Sequence, residues 1–245
     1  MKIFNKYVIL FFAISAACSS KIYSQDSISI LGKMDELIYA PKDKQAHVKM
    51  ILTDKSGKEK VREALMLQKG IDKKLYRYTQ PESQVGVATL SLPGGVMWLY
   101  MPAFEKPKKI TLLAKSQAFT GTDFSYEDME SRTYSDRFIP KLLETMENEY
   151  VLELIPKSAK SEYSKIIAYI NRTNCYPILM EYYDKQNKKI KEATYIYEKI
   201  GSYWNAKEVT MTDLRKNHKT RTIMTDVKFD QELSDDLFTV EKLKQ

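Results

Sequence analysis

Apolar and polar residues alternate along most of this chain, which predicts strands with one buried face. In the first such run Ala46, Val48, Met50 and Leu52 alternate with neighbours up to Thr53, and a turn at 54–57 leads into a second run at 59–69. Further runs of this kind lie at 75–79, 85–92, 96–101, 150–155, 164–171, 178–183, 190–200, 204–213 and 220–229. The pattern predicts about eleven antiparallel strands.

Helical spacing is rare. An early helix before Pro41 is predicted from Ile30, Leu31, Met34, Leu37 and Ile38. A second short helix is predicted from Phe138, Leu142, Leu143 and Met146, and a capped one at 234–239. Residues 104–131 show poor periodicity, with a helical turn expected at 125–129. Long ordered loops of this kind tend to be functional.

The run Val96–Pro102 is apolar or aromatic at every position. Neither face of such a strand can be left to water without a cost in free energy. The sequence therefore predicts that other parts of the chain cover both of its faces.

So many antiparallel strands must close on themselves or be covered, because open edges invite pairing with other chains. We predict a mainly β (α+β) fold, a half-open antiparallel β-barrel of about eleven strands covered by two or three short helices. Its concave face is predicted to carry Val48, Met50, Leu65, Leu67, Tyr76, Tyr78, Trp98 and Tyr100. This apolar area is more than short helices fill, which favours a cavity, with a well-filled core as the alternative.

The N-terminus has the layout of a secretory signal peptide. Lys2 and Lys6 precede a short apolar run at 7–17, which is too short to span a membrane as a helix. Residues 1–25 are predicted to be the signal peptide and residues 26–245 a single domain. As an alternative, Cys18 ends a sequence that partly resembles a lipobox and would anchor the protein. Cys175 then has no other partner, so no internal disulfide framework is expected.

Net charge adds little. The formal charge is +7, and removal of the leader leaves 36 basic against 32 acidic residues. Lysines are interleaved with acidic and polar residues, as at 185–192, which predicts a solvated face. No nucleic-acid partner is expected.

The hairpin region resembles a known family. Residues 65–70, 75–82 and 97–102 resemble the LolA/LolB-type periplasmic lipoprotein carriers, and Gly121–Met129 resembles the related outer-membrane lipoprotein-sorting proteins. The resemblance implies a periplasmic, half-open barrel whose apolar interior accepts the acyl chains of a lipid or lipoprotein. It also implies an inner-membrane transporter or an outer-membrane receptor as partner.

One departure concerns the lid. In the carrier family an arginine of an Arg-Pro pair helps to latch the helical lid, and the matching positions here are Lys69 and Gly70. Lys69 is the candidate for this latch. A lysine lacks the bidentate fork of arginine, so the same latch does not follow.

Reactive constellations are scarce. His47 and His218 each lie near a lysine, lack a metal-ligand neighbour and are predicted to be solvated. No catalytic residue, metal or cofactor is expected. The acidic residues at 123–130 could hold calcium or act as acid and base, but Asp123 as a turn cap is the stronger interpretation. Phe119 and Phe124 flank this group and are predicted to hold the loop against the cavity mouth.

These observations predict a non-enzymatic carrier or chaperone that binds lipid or lipoprotein acyl chains for sorting to the outer membrane. The alternative is a non-enzymatic envelope module, with a filled interior, that docks a membrane transporter.

Overall fold

The computed structural model describes residues 26–244, and within them thirteen antiparallel strands form one continuous sheet. The strands are β1 Asp43–Thr53, β2 Glu59–Lys69, β3 Lys73–Gln80, β4 Ala88–Leu92, β5 Val96–Tyr100, β6 Lys108–Lys109, β7 Phe138–Thr145, β8 Glu149–Pro156, β9 Lys165–Asn171, β10 Pro177–Tyr183, β11 Lys189–Ile200, β12 Tyr203–Asp213 and β13 His218–Phe229. The predicted signal peptide and Cys18 lie outside the described residues.

The strand order explains why the sheet stays open. It runs β6-β5-β4-β3-β2-β1-β13-β12-β11-β10-β9-β8-β7, so the first and last strands pair at its centre. The edges are β6 and β7, which are consecutive in the chain but do not pair with each other. Residues 110–133 connect them and are called the covering segment here. They pack on the concave face instead of completing a barrel.

Helix α1 spans 26–38, as the early helical pattern predicted. Its apolar residues Ile30, Leu31 and Met34 pack on the concave face of the half of the sheet formed by β7–β12. The carboxylate of Asp35 accepts hydrogen bonds from the backbone nitrogens at 134 and 135, each 2.8 Å long. These bonds tie α1 to the one-turn helix α2, Tyr134–Arg137.

The helix predicted from Phe138, Leu142, Leu143 and Met146 is wrong, because this stretch forms the edge strand β7. Phe138 and Leu142 are four residues apart, a spacing that fits one face of a helix and also one face of a strand. In the strand these two side chains face the core, while Leu143 is exposed. Together with the two-residue strand β6, β7 accounts for thirteen strands where about eleven were predicted.

The C-terminal segment (residues 230–244) covers the outer face of β2–β5. It includes a 3₁₀ helix, Asp235–Phe238, capped by the Ser234 hydroxyl as predicted. Phe238 and Leu243 are buried against the outward-facing side chains of this half of the sheet. Because the opposite side of β5 packs in the concave cluster, the prediction that both faces of this strand are covered is confirmed.

Candidate functional site

Strand register arranges the concave face of β1–β5 in successive rows. Val48, Ala64 and Tyr78 lie side by side in one row. Two residues further along each strand, Ala46, Met66, Tyr76, Thr89 and Leu99 form the next row. A third row consists of Lys44, Gln68, Lys74, Ser91 and Met97. The face thus changes from apolar to polar along the direction of the strands.

Between the two halves of the sheet lies an inner cavity of about 180 Å³. It runs from the first half of the sheet, across the covering segment, to the second half. Its lining includes Val48, Met50, Lys74, Tyr76, Phe119 and Tyr195. The barrel interior is therefore only partly filled.

A second and larger hollow, the rim groove, has a volume of about 570 Å³. It is lined by Val85, Val87, Leu99, Met101, Phe104 and Tyr126. Val85 and Phe104 are 51% and 54% exposed. The volume lies within the range of small-molecule sites, about 300–1,000 Å³. An apolar hollow of this size, open to solvent, can accept an apolar ligand.

An aromatic wall separates the inner cavity from the rim groove. The ring of Phe119 lies edge-on to Tyr76 and Tyr126, with centroid distances of 5.8 and 5.4 Å. Next to it, the hydroxyls of Tyr78 and Thr120 lie 2.5 Å apart. Burial raises the pKa of Tyr76, so this wall stays uncharged at neutral pH.

The structure brings together six of the predicted cavity residues. Val48, Met50, Tyr76, Tyr78, Phe119 and Phe124 all belong to or contact the concave cluster. Their binding of a ligand stays a prediction.

The other four lie on the opposite face, so the prediction that they line the concave side is wrong. Leu65, Leu67, Trp98 and Tyr100 pack under the C-terminal segment. The strands β2 and β5 are apolar on both faces, and a shift of one residue moves every side chain to the other face. Their own sequences do not distinguish the two phases.

Lys69 does latch a covering element, but not a helical lid. Its ammonium lies 3.1 Å from the carboxylate of Asp235, which is also 2.7 Å from Lys73. Asp235 belongs to the C-terminal 3₁₀ helix. The role predicted for Lys69 at the lid is therefore corrected to an anchor of the C-terminal segment on the outer face.

Asp123 does not cap a turn. Its carboxylate lies 2.7 Å from Nδ1 of His218 and accepts a 2.6 Å hydrogen bond from the hydroxyl of Thr220, both on β13. The turn is capped instead by Ser125 and Asp128, whose side chains each accept from the other's backbone nitrogen, at 2.7 and 3.1 Å. His218 is thus a partner of the covering segment, which the sequence separation of 95 residues hid from local analysis.

Two more acidic residues tie the covering segment to the second half of the sheet. Glu127 accepts a 2.5 Å hydrogen bond from Ser161, and burial raises the pKa of Glu127. Asp128 accepts from the Tyr163 hydroxyl at 2.8 Å and lies 3.5 Å from Lys191. Within residues 26–244, no three His, Cys, Asp or Glu side chains are grouped so as to hold a metal ion. These acids therefore hold the cover in place.

Solved structures with the same architecture were found. An outer membrane lipoprotein-sorting protein domain from Vibrio parahaemolyticus has a TM-score of 0.84 at 26% identity, covering 91% of this chain and 100% of that domain. A LolA superfamily protein from Nitrosomonas europaea has a TM-score of 0.74 at 26% identity, covering 87% and 97%. A family model described as "Uncharacterized protein" matches residues 70–245. The chain belongs to the LolA/LolB-like lipoprotein-sorting family.

The LolA-like fold is supported by a further structure. A DUF1329 family protein from Desulfovibrio piger has a TM-score of 0.84 at 22% identity, covering 90% of this chain and 99% of that one. No curated protein matches the chain. The predicted half-open, mainly β architecture of a LolA-like protein is confirmed. None of the helices within residues 26–244 has the length and apolar character needed to cross a membrane.

Proposed function

We propose that this LolA-like protein is a non-enzymatic carrier of the periplasm that holds the acyl chain of a lipid or lipoprotein. The observation that carries the proposal is the rim groove, an apolar hollow of about 570 Å³ with exposed walls at Val85 and Phe104. It lies on the concave side, where the covering segment leaves the interior partly unfilled. An acyl chain fits such a surface because it offers no polar group that needs a partner.

The energy scale supports this use. Each buried methylene contributes about 0.8 kcal/mol, so eight of them contribute roughly 6 kcal/mol before the cost of association. The ligand would also cover Phe104 and Val85, which are exposed in the free protein. Such a groove holds a chain that water rejects, and it requires no reactive residue.

The covering segment, and not a helical lid, controls access from the groove to the inner cavity. Phe119 closes the wall between them, and the Asp123 contacts to β13 hold the segment down. A chain longer than the groove reaches the inner cavity when this wall shifts. The volume available to the ligand then grows by the inner 180 Å³.

Acyl-chain loading tests the proposal. Protein purified from the cell envelope is analysed by native mass spectrometry and lipid extraction, beside a Leu99→Glu variant. Leu99 lines the groove, so a carboxylate there should abolish loading, whereas Ile196→Glu, at a 55% exposed strand position, should leave it unchanged. Repeated failure of the wild-type protein to carry or take up any acyl ligand refutes the carrier function.

A second function is favoured by one observation on the free edge strand. Ile139 and Ile155 are register partners on β7 and β8, and they are 57% and 38% exposed. This stripe fits an envelope module that docks on an inner-membrane transporter or an outer-membrane receptor. A photo-crosslinker at Ile139 that captures such a partner, in protein that binds no acyl ligand, would favour this function over the carrier.

A further inference from the structure

The third row of the concave face places two lysines in the interior. Lys44 and Lys74 are both in register with Gln68, which lies between them on β2. Lys44 shares its face of β1 with Ala46 and Val48, and Lys74 lines the inner cavity. Two strand spacings of about 4.8 Å put their backbones roughly 10 Å apart. Long side chains from these positions can converge above Gln68.

Neither lysine has an anionic partner among residues 26–244. No carboxylate lies within ion-pair distance of either ammonium, and neither donates a hydrogen bond in that part of the chain. The contrast is Lys191, which lies 3.5 Å from Asp128. Desolvation lowers the pKa of Lys44 and of Lys74 to about 8, and the charges of Lys44 and Arg137 add to the effect on Lys74. At pH 7 both are still mostly charged.

Other groups at this end of the cavity favour an anion as well. Ser91 is the register partner of Lys74 on β4, and its hydroxyl accepts a hydrogen bond of 3.1 Å from the backbone nitrogen of Ser131. The hydroxyl of Ser131 is fully buried and has no partner among the described residues. Asp128 also lines the cavity, but its carboxylate is already held by Lys191 and by other donors.

We propose that Lys44 and Lys74 form an anion subsite that binds the carboxylate or phosphate of an anionic amphiphile. The acyl chain then runs past Tyr76 and Tyr78 toward the rim groove. Four residues of β3 separate Lys74 from Tyr78, which corresponds to roughly 13 Å of chain path. The inference rests on the proposed carrier function and narrows its ligand to amphiphiles with a negative head.

The arrangement supplies what each part of such a ligand requires. Uncompensated buried charges are costly, and an anion that neutralises them recovers that cost. Hydrogen bonds to charged groups are stronger than neutral ones, so two ammonium contacts should give at least a tenfold preference over a neutral head group.

The test compares laurate, lauryl phosphate and lauryl alcohol, which share one chain, by titration at pH 7. The wild-type protein should bind the two anions about tenfold or more tightly than the alcohol. The double variant Lys44→Met/Lys74→Met should bind all three alike and keep its affinity for the alcohol. Lys49→Met, at an exposed position of the same strand, should behave as wild type.

A charge-retaining variant, Lys44→Arg/Lys74→Arg, should keep the preference and shows that the positions tolerate substitution. Equal binding of acid and alcohol by the wild-type protein overturns the subsite and leaves the carrier function standing. A preference that persists in the double methionine variant also overturns it. If none of the three amphiphiles binds, the carrier function fails, and the subsite fails with it.

Discussion

Replacing Phe119 by alanine should join the inner cavity to the rim groove. The side chain is 1% exposed and stands between Tyr76 and Tyr126, with which it makes edge-to-face contacts. The backbone nitrogen of Phe119 donates to the carbonyl of Phe124 at 2.8 Å, a bond that the substitution leaves in place. The change therefore removes the wall without releasing the covering segment.

The expected cost follows from the packing. Replacing a buried phenylalanine by alanine usually destabilises a protein by about 3–5 kcal/mol, because apolar contacts are lost and a cavity remains. Aromatic pairs add about 0.5–1.5 kcal/mol each beyond their buried area. Phe119 makes two such pairs, so its free energy of unfolding should fall by about 4 kcal/mol. A ligand that fills the space should restore about 2.7 kcal/mol at one hundred times its dissociation constant.

Urea unfolding of the wild type and the Phe119→Ala variant measures this loss, with and without a bound fatty acid. Leu113→Ala is the matched control, since Leu113 lies in the same covering segment but is 83% exposed. It should change the free energy of unfolding by less than about 0.5 kcal/mol. Binding of a series of fatty acids should show that the Phe119 variant tolerates longer chains.

Two results would refute the reasoning. A loss below about 1 kcal/mol would mean that Phe119 is not packed as a wall. An unchanged dependence of affinity on chain length, in a folded variant, would mean that the two hollows do not act as one site.

Three further predictions follow from other contacts. Phe238→Ala should lower the free energy of unfolding by about 3–5 kcal/mol in urea titrations, since Phe238 is buried under the C-terminal segment, whereas loss of less than about 1 kcal/mol would contradict that packing. Asp123→Asn should cost about 1–3 kcal/mol and increase amide hydrogen exchange in the covering segment, with exposed Asp136→Asn as control; equal exchange in both variants would exclude Asp123 as its anchor. Because Lys44 and Lys74 have folded-state pKa values of about 8 against an ordinary 10.5, the folded state loses their protons first, and stability relative to the double methionine variant should rise between pH 8 and 10. A flat difference between the two proteins across that range would show that the lysines are solvated.

Local sequence determined most of the elements. The alternation from Ala46 to Leu52 predicted β1, and the helical spacing before Pro41 predicted α1. The two-sided apolar run at Val96–Pro102 required cover on both faces, and both covers are present. These features are local, because side-chain periodicity is a property of a few consecutive residues.

Tertiary structure decided which face each residue occupies and what covers it. Leu65 and Trp98 lie in strands that are apolar on both faces, so only register with neighbouring strands assigns them to the outer side. Phe138 and Leu142 fit a helix and a strand equally, and pairing with β8 decides between them. Lys44 and Lys74, far apart in the chain, became neighbours of one cavity through two strand pairings. Such contacts depend on long-range pairing, about which the spacing of residues within a strand carries no information.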